Sequence, residues 1–481
     1  MKRLLLLILV FQLNHSLAFN IDKDVFSERR ARFMEKIGNA IVIMKGESLK
    51  KRNSDVNYKF RQSSDFFYLT GFEEPDAAFL LVPEGEKQYI LFIRETMFWE
   101  KLFMGTQLST DEIMEKYVAD TVYSMNSVDD VVIDNLVGRE KFYYKGKKEE
   151  TDDRIRTILK EEFELEDSLI LDPGDLIHEM RLIKEPYEIG KLQKAVNITC
   201  KAHVEAMKAI EPGMNEYEVE SIIYYIYGKN GAQRWGFPSI VASGKNSTIL
   251  HYEKNNSPTK DGDLIMVDIG AEYDYYSADV TRTFPVNGKF SPEQKDIYEV
   301  ALAATDASTN LIKPGVGFKE IHKKAIEIIN NGLYELGLIT NKKSRWQYKV
   351  WLSYWSLHWL GMDPHDVGSP NWRDPKGRIL EPGMVLAIEP GIYINSDLFE
   401  NLPNLRTLML RNVTDEELLE FMNIVRPSVK KYSNICCRVE DNVLVTEDGV
   451  EVLSLLAPRK ITDIEELMEQ GSIFKPNSTV E

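Results

Sequence analysis

Cysteine and histidine are scarce in this chain, which has 481 residues but only 3 Cys and 7 His. So few thiols disfavour a cysteine-type zinc site. Cys200, Cys436 and Cys437 are an odd number with no framework spacing, so we expect no structural disulfide. The 76 acidic residues are therefore the main supply of metal ligands, and carboxylates are hard oxygen donors.

An excess of positive charge is also lacking. The 59 basic residues against 76 acidic ones give a formal net charge of −17, the wrong sign for a protein that binds by neutralising phosphates. We therefore expect no nucleic-acid partner. A composition of 43% hydrophobic and 28% charged residues is typical of a globular protein, and the length allows two or three domains.

Long apolar runs are absent except at the N terminus. Met1-Lys2-Arg3 precedes an apolar run, and Ser16 and Ala18 supply the small residues of a secretory cleavage site. The run of about 14 residues is shorter than the roughly 20 needed to span a bilayer, which disfavours the alternative of a membrane anchor. We expect a signal peptide over residues 1–18, cleavage after Ala18, a secreted or periplasmic protein, and no membrane association after cleavage.

The remaining chain predicts an α/β (α+β) fold with two domains. The first, over 19–172, mixes strands and helices, and a turn cluster at 172–175 precedes the second, over 173–465. A C-terminal tail follows over 466–481. The second domain shows a pair of helices followed by strands twice, which predicts a two-lobed unit with a curved antiparallel sheet. Residues 396–434 have the pattern of an insertion on the surface rather than in the core.

Four carboxylates and one histidine stand in apolar, strand-like runs, at Asp268, Asp279, His358, Glu389 and Glu440. An apolar strand has little reason to bury a carboxylate unless the group is paired or binds a metal. A hairpin turning through 272–275 would point the two aspartates to one face. For either aspartate alone, a turn cap or an ion pair with Arg282 is an equal alternative. Together the five residues suit two divalent cations, with manganese favoured and cobalt or zinc possible.

The blocks that carry these residues resemble the signatures of aminopeptidase P, the Xaa-Pro aminopeptidase, and of its relative prolidase. They are Val267–Gly270, Ala278–Phe290, His358–Gly368, Glu381–Tyr393 and Arg438–Asp441, and Arg61–Phe72 extends the resemblance into the first domain. Nearly the whole mature chain is covered, apart from 396–434. The resemblance implies an N-terminal creatinase/aminopeptidase P-like domain and a C-terminal pita-bread catalytic domain.

The resemblance also implies a ligand set and a reaction. In it Asp268 chelates one metal ion, Asp279 and Glu440 bridge two, and His358 and Glu389 hold the other. The implied enzyme acts on proline-containing peptides, and it removes the first residue when proline is the second. It does so with a hydroxide formed between the two ions, while Glu389 can take the proton of the water.

Supporting roles follow for further residues. The resemblance implies that His251 lines the proline side and binds the scissile peptide, and that His365 stabilises the tetrahedral intermediate or the leaving imide. Arg438 would orient ligands, or alternatively neutralise the carboxylates as an ion pair. Tyr393 is assigned to substrate binding. Asp55 would reach a neighbouring subunit's site and receive the free amine of the substrate, within a dimer or tetramer.

One motif departs from the family pattern. Where the family usually has His-Gly-x-x-His, this chain has Tyr354-Trp355-Ser356-Leu357-His358, so Tyr354 becomes a candidate substrate-binding residue. Phe237 stands where some relatives carry tyrosine. Because the five ligands are intact, we favour altered specificity over loss of activity. The alternatives are a prolidase, a non-catalytic binding protein on the same scaffold, and a metal-free hydrolase of the creatinase type.

Overall fold

The computed structural model describes residues 24–105, 107–139, 141–146, 154–161, 169–410 and 412–474. The predicted signal peptide lies outside these residues. The chain divides into two units at Arg181 and Leu182, whereas the predicted boundary is at 172 and 173. In the described part of the chain, every helix is too short or too polar to cross a membrane.

The first unit is built on a sheet that mixes parallel and antiparallel strands. Its strands are β1 (Ile41–Lys45), β2 (Lys51–Asn53), β3 (Val56–Asn57), β4 (Ala78–Leu81), β5 (Tyr89–Ile93), β6 (Thr121–Ser124), β7 (Phe142–Lys145) and β8 (Ile170–Leu171). Its helices are α1 (24–37), α2 (Ser64–Thr70), α3 (Phe98–Met104), α4 (Thr110–Tyr117), α5 (Val128–Leu136), α6 (Arg154–Glu161) and α7 (Gly174–Leu182). The described strands of the sheet follow the order β6-β5-β4-β1-β7-β8, and β2 and β3 form a separate exposed hairpin.

A buried carboxylate in the first unit shows how the fold neutralises an isolated acid. Asp65, in the first turn of α2, lies 2.6 Å from Arg181, 2.5 Å from Lys145 and 3.2 Å from the imidazole of His178. Burial by itself would raise the pKa of Asp65, but these three groups hold that pKa well below its usual range. This carboxylate is satisfied by protein groups alone.

The second unit repeats one arrangement of helices and strands. Its helices are α8 (Pro186–Ala209), α9 (Glu216–Lys229), α10 (Pro292–Leu311), α11 (Phe318–Glu335), α12 (Ser396–Glu400), α13 (Leu402–Met409), α14 (Asp415–Lys431) and α15 (Ile461–Met468). Its strands are β9 (Arg234–Trp235), β10 (Ile240–Ser243), β11 (Leu264–Ile269), β12 (Ala271–Tyr273), β13 (Tyr276–Ser277), β14 (Val280–Pro285), β15 (Leu357–Trp359), β16 (Val385–Ile388), β17 (Gly391–Tyr393), β18 (Cys436–Arg438), β19 (Asp441–Val445) and β20 (Val450–Val452). Helices α8 and α9 precede the antiparallel sheet β10-β11-β14, and α10 and α11 precede the antiparallel sheet β15-β16-β19-β20.

The two long helices of the repeat begin at recognisable signals. Each has a proline at its first position, Pro186 in α8 and Pro292 in α10, where the missing N–H costs no helical hydrogen bond. Ser291 caps α10, and its hydroxyl accepts a hydrogen bond from the backbone N–H of Gln294.

The insertion at 396–434 corrects one expectation. Its helices α12, α13 and α14 bury Phe399, Leu402, Phe421 and Val425 in the main hydrophobic core of the second unit. The prediction of a surface excursion was therefore wrong. Polar residues on the outer faces and at the flanks of these helices obscured an inward apolar stripe with helical spacing.

The hairpin predicted around the two aspartates is present. β11 pairs with β14 so that Asp268 lies opposite Thr281, and the chain turns through Asp274 and Tyr275. Both turn residues have positive φ, 48° and 69°, as a two-residue turn of this hand requires. Because side chains alternate along a strand, Asp279 and Thr281 face the same side as Asp268, and Arg282 faces the other.

Candidate active site

Three further segments bring predicted metal ligands to the face that carries Asp268 and Asp279. His358 lies in β15 opposite Ala387 of β16, and Glu389 directly follows β16. Glu440 lies between β18 and β19, and its backbone N–H donates to the carbonyl of Thr281 at 3.1 Å. That hydrogen bond joins the two halves of the repeat beside the carboxylates.

Alternation separates two adjacent acids, Glu440 and Asp441. Glu440 faces the aspartates, whereas Asp441 faces the opposite side and forms an ion pair with Arg282 at 2.8 Å, both groups being fully buried. Arg459 contacts the same carboxylate at 2.7 Å. Arg282 therefore does not neutralise either site aspartate, which removes the ion pair with Arg282 as an alternative role for them.

The five residues predicted as metal ligands lie together. Candidate ligand atoms of Asp268, Asp279 and Glu440 all lie within 4.8 Å of one another. His358 Nε2 lies 3.5 Å from Asp279 Oδ2, 3.6 Å from Glu389 Oε1 and 3.9 Å from Glu440 Oε1. We call these five residues the carboxylate cluster.

His365 lies beside the carboxylate cluster. It forms a second group of possible metal ligands with Asp279 and His358, again within 4.8 Å, and its ring centroid is 4.1 Å from that of His358. The next residue, Asp366, forms a buried ion pair with Lys184 at 3.0 Å. This pair fixes the loop that presents His365.

Hydrogen bonds orient the members of the cluster. His358 Nδ1 lies 3.0 Å from the carbonyl of Trp359, which assigns the proton to Nδ1 and leaves the lone pair of Nε2 toward the carboxylates. The Thr281 hydroxyl donates to Glu440 Oε2 at 2.6 Å and accepts from Arg438 Nε at 2.9 Å. The side-chain carbonyl of Asn442 accepts the backbone N–H of Asp279 at 3.1 Å.

Burial and mutual repulsion shift the pKa values of these groups. Burial, then the neighbouring carboxylates, raise the pKa values of Asp279 and Glu440 well above their usual range. Burial raises the pKa of Glu389 to about 8 although Arg438 opposes it. Burial lowers the pKa of His358 to about 3, so its imidazole is neutral and able to act as a ligand. The cluster is unfavourable for bare negative charge.

The cluster fits divalent cations. Asp268 Oδ1 is a buried acceptor with no hydrogen-bond partner in the described structure. Arg438 contacts Asp268 and lies 3.4 Å from Glu389, so it acts both as a neutralising cation and as an orienting group. It supplies one positive charge against four carboxylates. An unpartnered oxygen in a set of oxygen donors and one neutral imidazole is suited to divalent metal ions.

The other predicted site residues lie at different distances from the cluster. His251 and His365 are exposed and line the same pocket. The Tyr354 hydroxyl donates to the backbone carbonyl of Glu389 at 3.0 Å and lies 3.1 Å from the hydroxyl of Tyr393. Tyr393 is buried beside Tyr354. Asp55 lies in the exposed turn of the β2–β3 hairpin in the first unit.

Some contributors were missed in the sequence. Thr281 stands two residues from Asp279, and Asn442 two residues from Glu440, so the strand period could have placed them on the same face as these predicted ligands. Trp372 lines the pocket from a loop, and the His322 imidazole lies 2.9 Å from the Ser356 hydroxyl. Neither carries a local signal, because the loop of Trp372 and the helix of His322 reach the site region only through tertiary packing.

The cluster lies in a pocket of about 780 Å³. Beyond the ligands its walls are mostly apolar and aromatic, as in many sites for small ligands. The contributing side chains include Phe237, Pro238, Leu250, Phe318, Tyr354, Trp355, Trp359 and Trp372. Phe237 therefore presents a ring without a hydroxyl to the pocket.

Comparison with known proteins agrees with this arrangement. Residues 190–447 match the model of metallopeptidase family M24, and residues 26–143 match that of the aminopeptidase P N-terminal domain. The Xaa-Pro aminopeptidase of Haemophilus influenzae is 36% identical over 93% of this chain and 98% of its own length. That of Escherichia coli is 33% identical with the same coverage.

Solved structures show the same fold. The aminopeptidase PepP of Pseudomonas aeruginosa has a TM-score of 0.82 and 35% identity, over 93% of this chain and 98% of its own. A variant of Escherichia coli aminopeptidase P in complex with substrate has a TM-score of 0.79 and 31% identity, with the same coverage. The predicted fold class, with a pita-bread second domain, is confirmed.

Metal binding should depend on the central aspartate. We expect Asp279→Asn to reduce the affinity for Mn²⁺ at least about tenfold, because it removes an anionic oxygen donor from the middle of the cluster. Calorimetric titration of the chelator-treated protein measures this. The control is Glu253→Gln, which alters an exposed carboxylate of the same pocket outside the cluster. Equal Mn²⁺ affinity in the wild type and Asp279→Asn would contradict the assignment.

Without metal, stability should fall as the pH rises from 6.5 to 8. A carboxyl whose pKa is raised by folding keeps its proton in the folded state at a pH where the unfolded chain has lost it. For Glu389 the pKa is about 4.5 in the unfolded chain and about 8 in the folded protein. Its contribution to stability is therefore complete below pH 4.5 and is lost as the pH rises to about 8. The loss is at most about 1.4 kcal/mol per pH unit for each carboxyl. His358 adds no slope here, because its lowered pKa acts only below about 6.5.

Urea unfolding in the presence of chelator, at several pH values in this window, measures that slope. The matched variant is Glu389→Gln, which keeps the shape of the side chain and cannot ionise. Its free energy of unfolding should fall less steeply with pH than that of the wild type. Identical slopes would show that Glu389 does not hold a proton in the metal-free fold.

Proposed function

The chain belongs to metallopeptidase family M24, and on this premise we propose that it is an Xaa-Pro aminopeptidase, which hydrolyses the bond between a first residue and a proline in second position. The observation that carries the proposal is the carboxylate cluster, with its unpartnered Asp268 oxygen, in a pocket large enough for a short peptide. The Xaa-Pro aminopeptidases named above, which match nearly the whole chain, support the choice of substrate.

We propose that the cluster holds two divalent metal ions, with manganese favoured by the four oxygen donors and cobalt or zinc as alternatives. Asp268 would hold one ion, His358 and Glu389 the other, and Asp279 and Glu440 both. When bound, such ions make a nucleophile from water at neutral pH and polarise the scissile carbonyl.

The protein's own groups have distinct parts in this reaction. Glu389 is placed to accept a proton from the attacking water. Arg438 contacts the carboxylate of Glu389. The backbone of Glu389 is held by two hydrogen bonds: its carbonyl accepts from the Tyr354 hydroxyl, and its N–H donates to the Ser356 carbonyl at 2.9 Å. His365 lies beside His358, where it can donate to the oxygen or nitrogen that gains charge.

Substrate contacts come from the outer pocket. We propose that His251 binds the scissile peptide on its proline side, since its exposed imidazole lines the pocket apart from the cluster. Tyr354 also lines the pocket, but its hydroxyl already donates to the Glu389 carbonyl and contacts Tyr393. Burial raises its pKa above the ordinary value, so Tyr354 and Tyr393 act as neutral phenols that shape the wall.

A three-peptide assay tests the proposal and its rivals. With Mn²⁺ we expect Ala-Pro-Ala to be cleaved at least about 100-fold faster than Ala-Ala-Ala, and activity to vanish with chelator, because the site is built around metal ligands. Cleavage of Ala-Pro alone would indicate a prolidase. Cleavage that is unaffected by chelator would indicate a metal-free hydrolase. If none of the three peptides is cleaved, the protein would be a binding protein on this scaffold.

Export is a separate proposal that rests on the N-terminal sequence. We propose that residues 1–18 direct secretion, to the periplasm or the exterior, and that the mature chain begins at Phe19. N-terminal sequencing of the protein purified from its native source should read Phe19 first. A sequence that begins at Met1 would contradict it.

Assembly also remains a proposal. We propose a dimer or tetramer in which Asp55 reaches a neighbouring site and receives the free amine of the peptide. Its place in an exposed hairpin turn is compatible with that role. The partners are proline-containing peptides, and the net charge of −17 disfavours nucleic acid.

A further inference from the structure

Two exposed tryptophans form one side of the pocket. Trp355 and Trp372 are 40% and 53% exposed, and their ring centroids are 4.7 Å apart at an interplanar angle of 57°. Both line the pocket that contains the carboxylate cluster. We call this pair the tryptophan wall. Exposed aromatic surface inside a pocket is available for an apolar group of a ligand.

The Trp372 side of the wall is held in place by α11. Lys319 Nζ donates to the carbonyls of Trp372 and Asp374, at 2.7 Å each. The backbone N–H of Lys319 donates to the carbonyl of Lys376 at 3.0 Å, and that of Phe318 to the carbonyl of Arg378 at 2.8 Å. Four hydrogen bonds thus fix the loop, so Trp372 is exposed without being free to fold away.

The Trp355 side is supported by His322 of the same helix. The two ring centroids are 4.1 Å apart at 33°. His322 Nδ1 accepts the backbone N–H of Ser356 at 3.3 Å and lies 2.9 Å from its hydroxyl. Burial lowers the pKa of His322 to about 4, so the ring is neutral at physiological pH. A neutral ring that accepts hydrogen bonds is a fixed support for the indole of Trp355.

We propose that the tryptophan wall binds a bulky apolar or aromatic side chain of the peptide, and so gives this enzyme a preference for such a residue either before the proline or directly after it. The inference rests on the proposed function and adds the class of side chain. Trp372 contacts buried Phe318 edge-on, with centroids 6.4 Å apart, and Phe318 lies 4.7 Å from buried Trp359, so the wall is continuous with an aromatic core.

A cation already lies over the Trp372 ring, which disfavours a basic side chain at that face of the wall. Lys319 Nζ lies 5.7 Å from the centroid of the Trp372 ring, a distance at which it makes a cation–π contact itself. A second cation from the peptide would be repelled. Lys319 therefore favours a neutral side chain against Trp372, and that side chain can belong to the first residue or to the residue after proline.

Trp355 also makes the wall a property of this chain. The His-Gly-x-x-His motif of the family usually has glycine at this position, and glycine has no side chain that could contact a ligand. Replacement of Trp355 by glycine removes one half of the wall, and replacement of Trp372 by alanine removes the other.

The test compares kcat/KM for Ala-Pro-Ala, Phe-Pro-Ala and Ala-Pro-Phe in the Mn²⁺-loaded protein. We expect the wild type to favour one phenylalanine peptide over Ala-Pro-Ala by about tenfold, the size of one aromatic contact with its buried area. Trp355→Gly and Trp372→Ala should each reduce that ratio toward one. The favoured peptide shows whether the wall serves the first or the third residue.

Tyr334→Ala is the matched control. Tyr334 lies on α11, is 43% exposed and does not line the pocket, so its loss should leave the ratio unchanged. No preference in the wild type, or a preference that survives both tryptophan substitutions, would overturn the proposal. If the wild type cleaves none of the three peptides, the proposed function has failed separately. In that case calorimetry measures the dissociation constants of the three peptides for the wild type and the same variants. The ratios of these constants then test whether the tryptophan wall binds the phenylalanine side chain.

Discussion

The burial of four carboxylates around one point is the constraint on which the second unit depends. Such a group of like charges is unfavourable unless protons or cations offset it. Arg438 supplies one charge, and the Thr281 hydroxyl connects it to Glu440. His358 remains neutral because burial lowers its pKa. The negative charge that remains favours the binding of divalent metal ions by the cluster.

Two other buried acids show that the fold can neutralise a carboxylate when no metal is needed. Asp65 has Arg181, Lys145 and His178 around it. Asp441 has Arg282 and Arg459. Neither is left with an incomplete set of partners, whereas Asp268 keeps an unpartnered oxygen. All three acids are buried, so burial alone does not distinguish Asp268 from the two acids that are paired with protein cations.

Much of the site could be predicted because side chains alternate between the two faces of a strand with a period of only two residues. Asp268 and Asp279 interrupt apolar runs, and a hairpin of period two must place them on one face. The aromatic wall could not be predicted in this way, because Trp372 and His322 come from a loop and a helix whose approach depends on tertiary packing. The insertion at 396–434 misled for a related reason: its outward polar residues dominated the pattern, while its inward apolar stripe packs into the core.

The sequence alone determined the ligand types, the strands that carry them and the two-fold repeat of helices and strands, because these follow from residue chemistry and local periodicity. Tertiary structure decided which adjacent acid joined the carboxylate cluster and which became the partner of Arg282, since that depends on the way each side chain faces once β14 lies beside the 438–442 segment. It also decided that Tyr354 holds the backbone of Glu389, and that two distant tryptophans meet in one pocket. Contacts between segments that are separate in the sequence have no local signature, and they form only when those segments pack together.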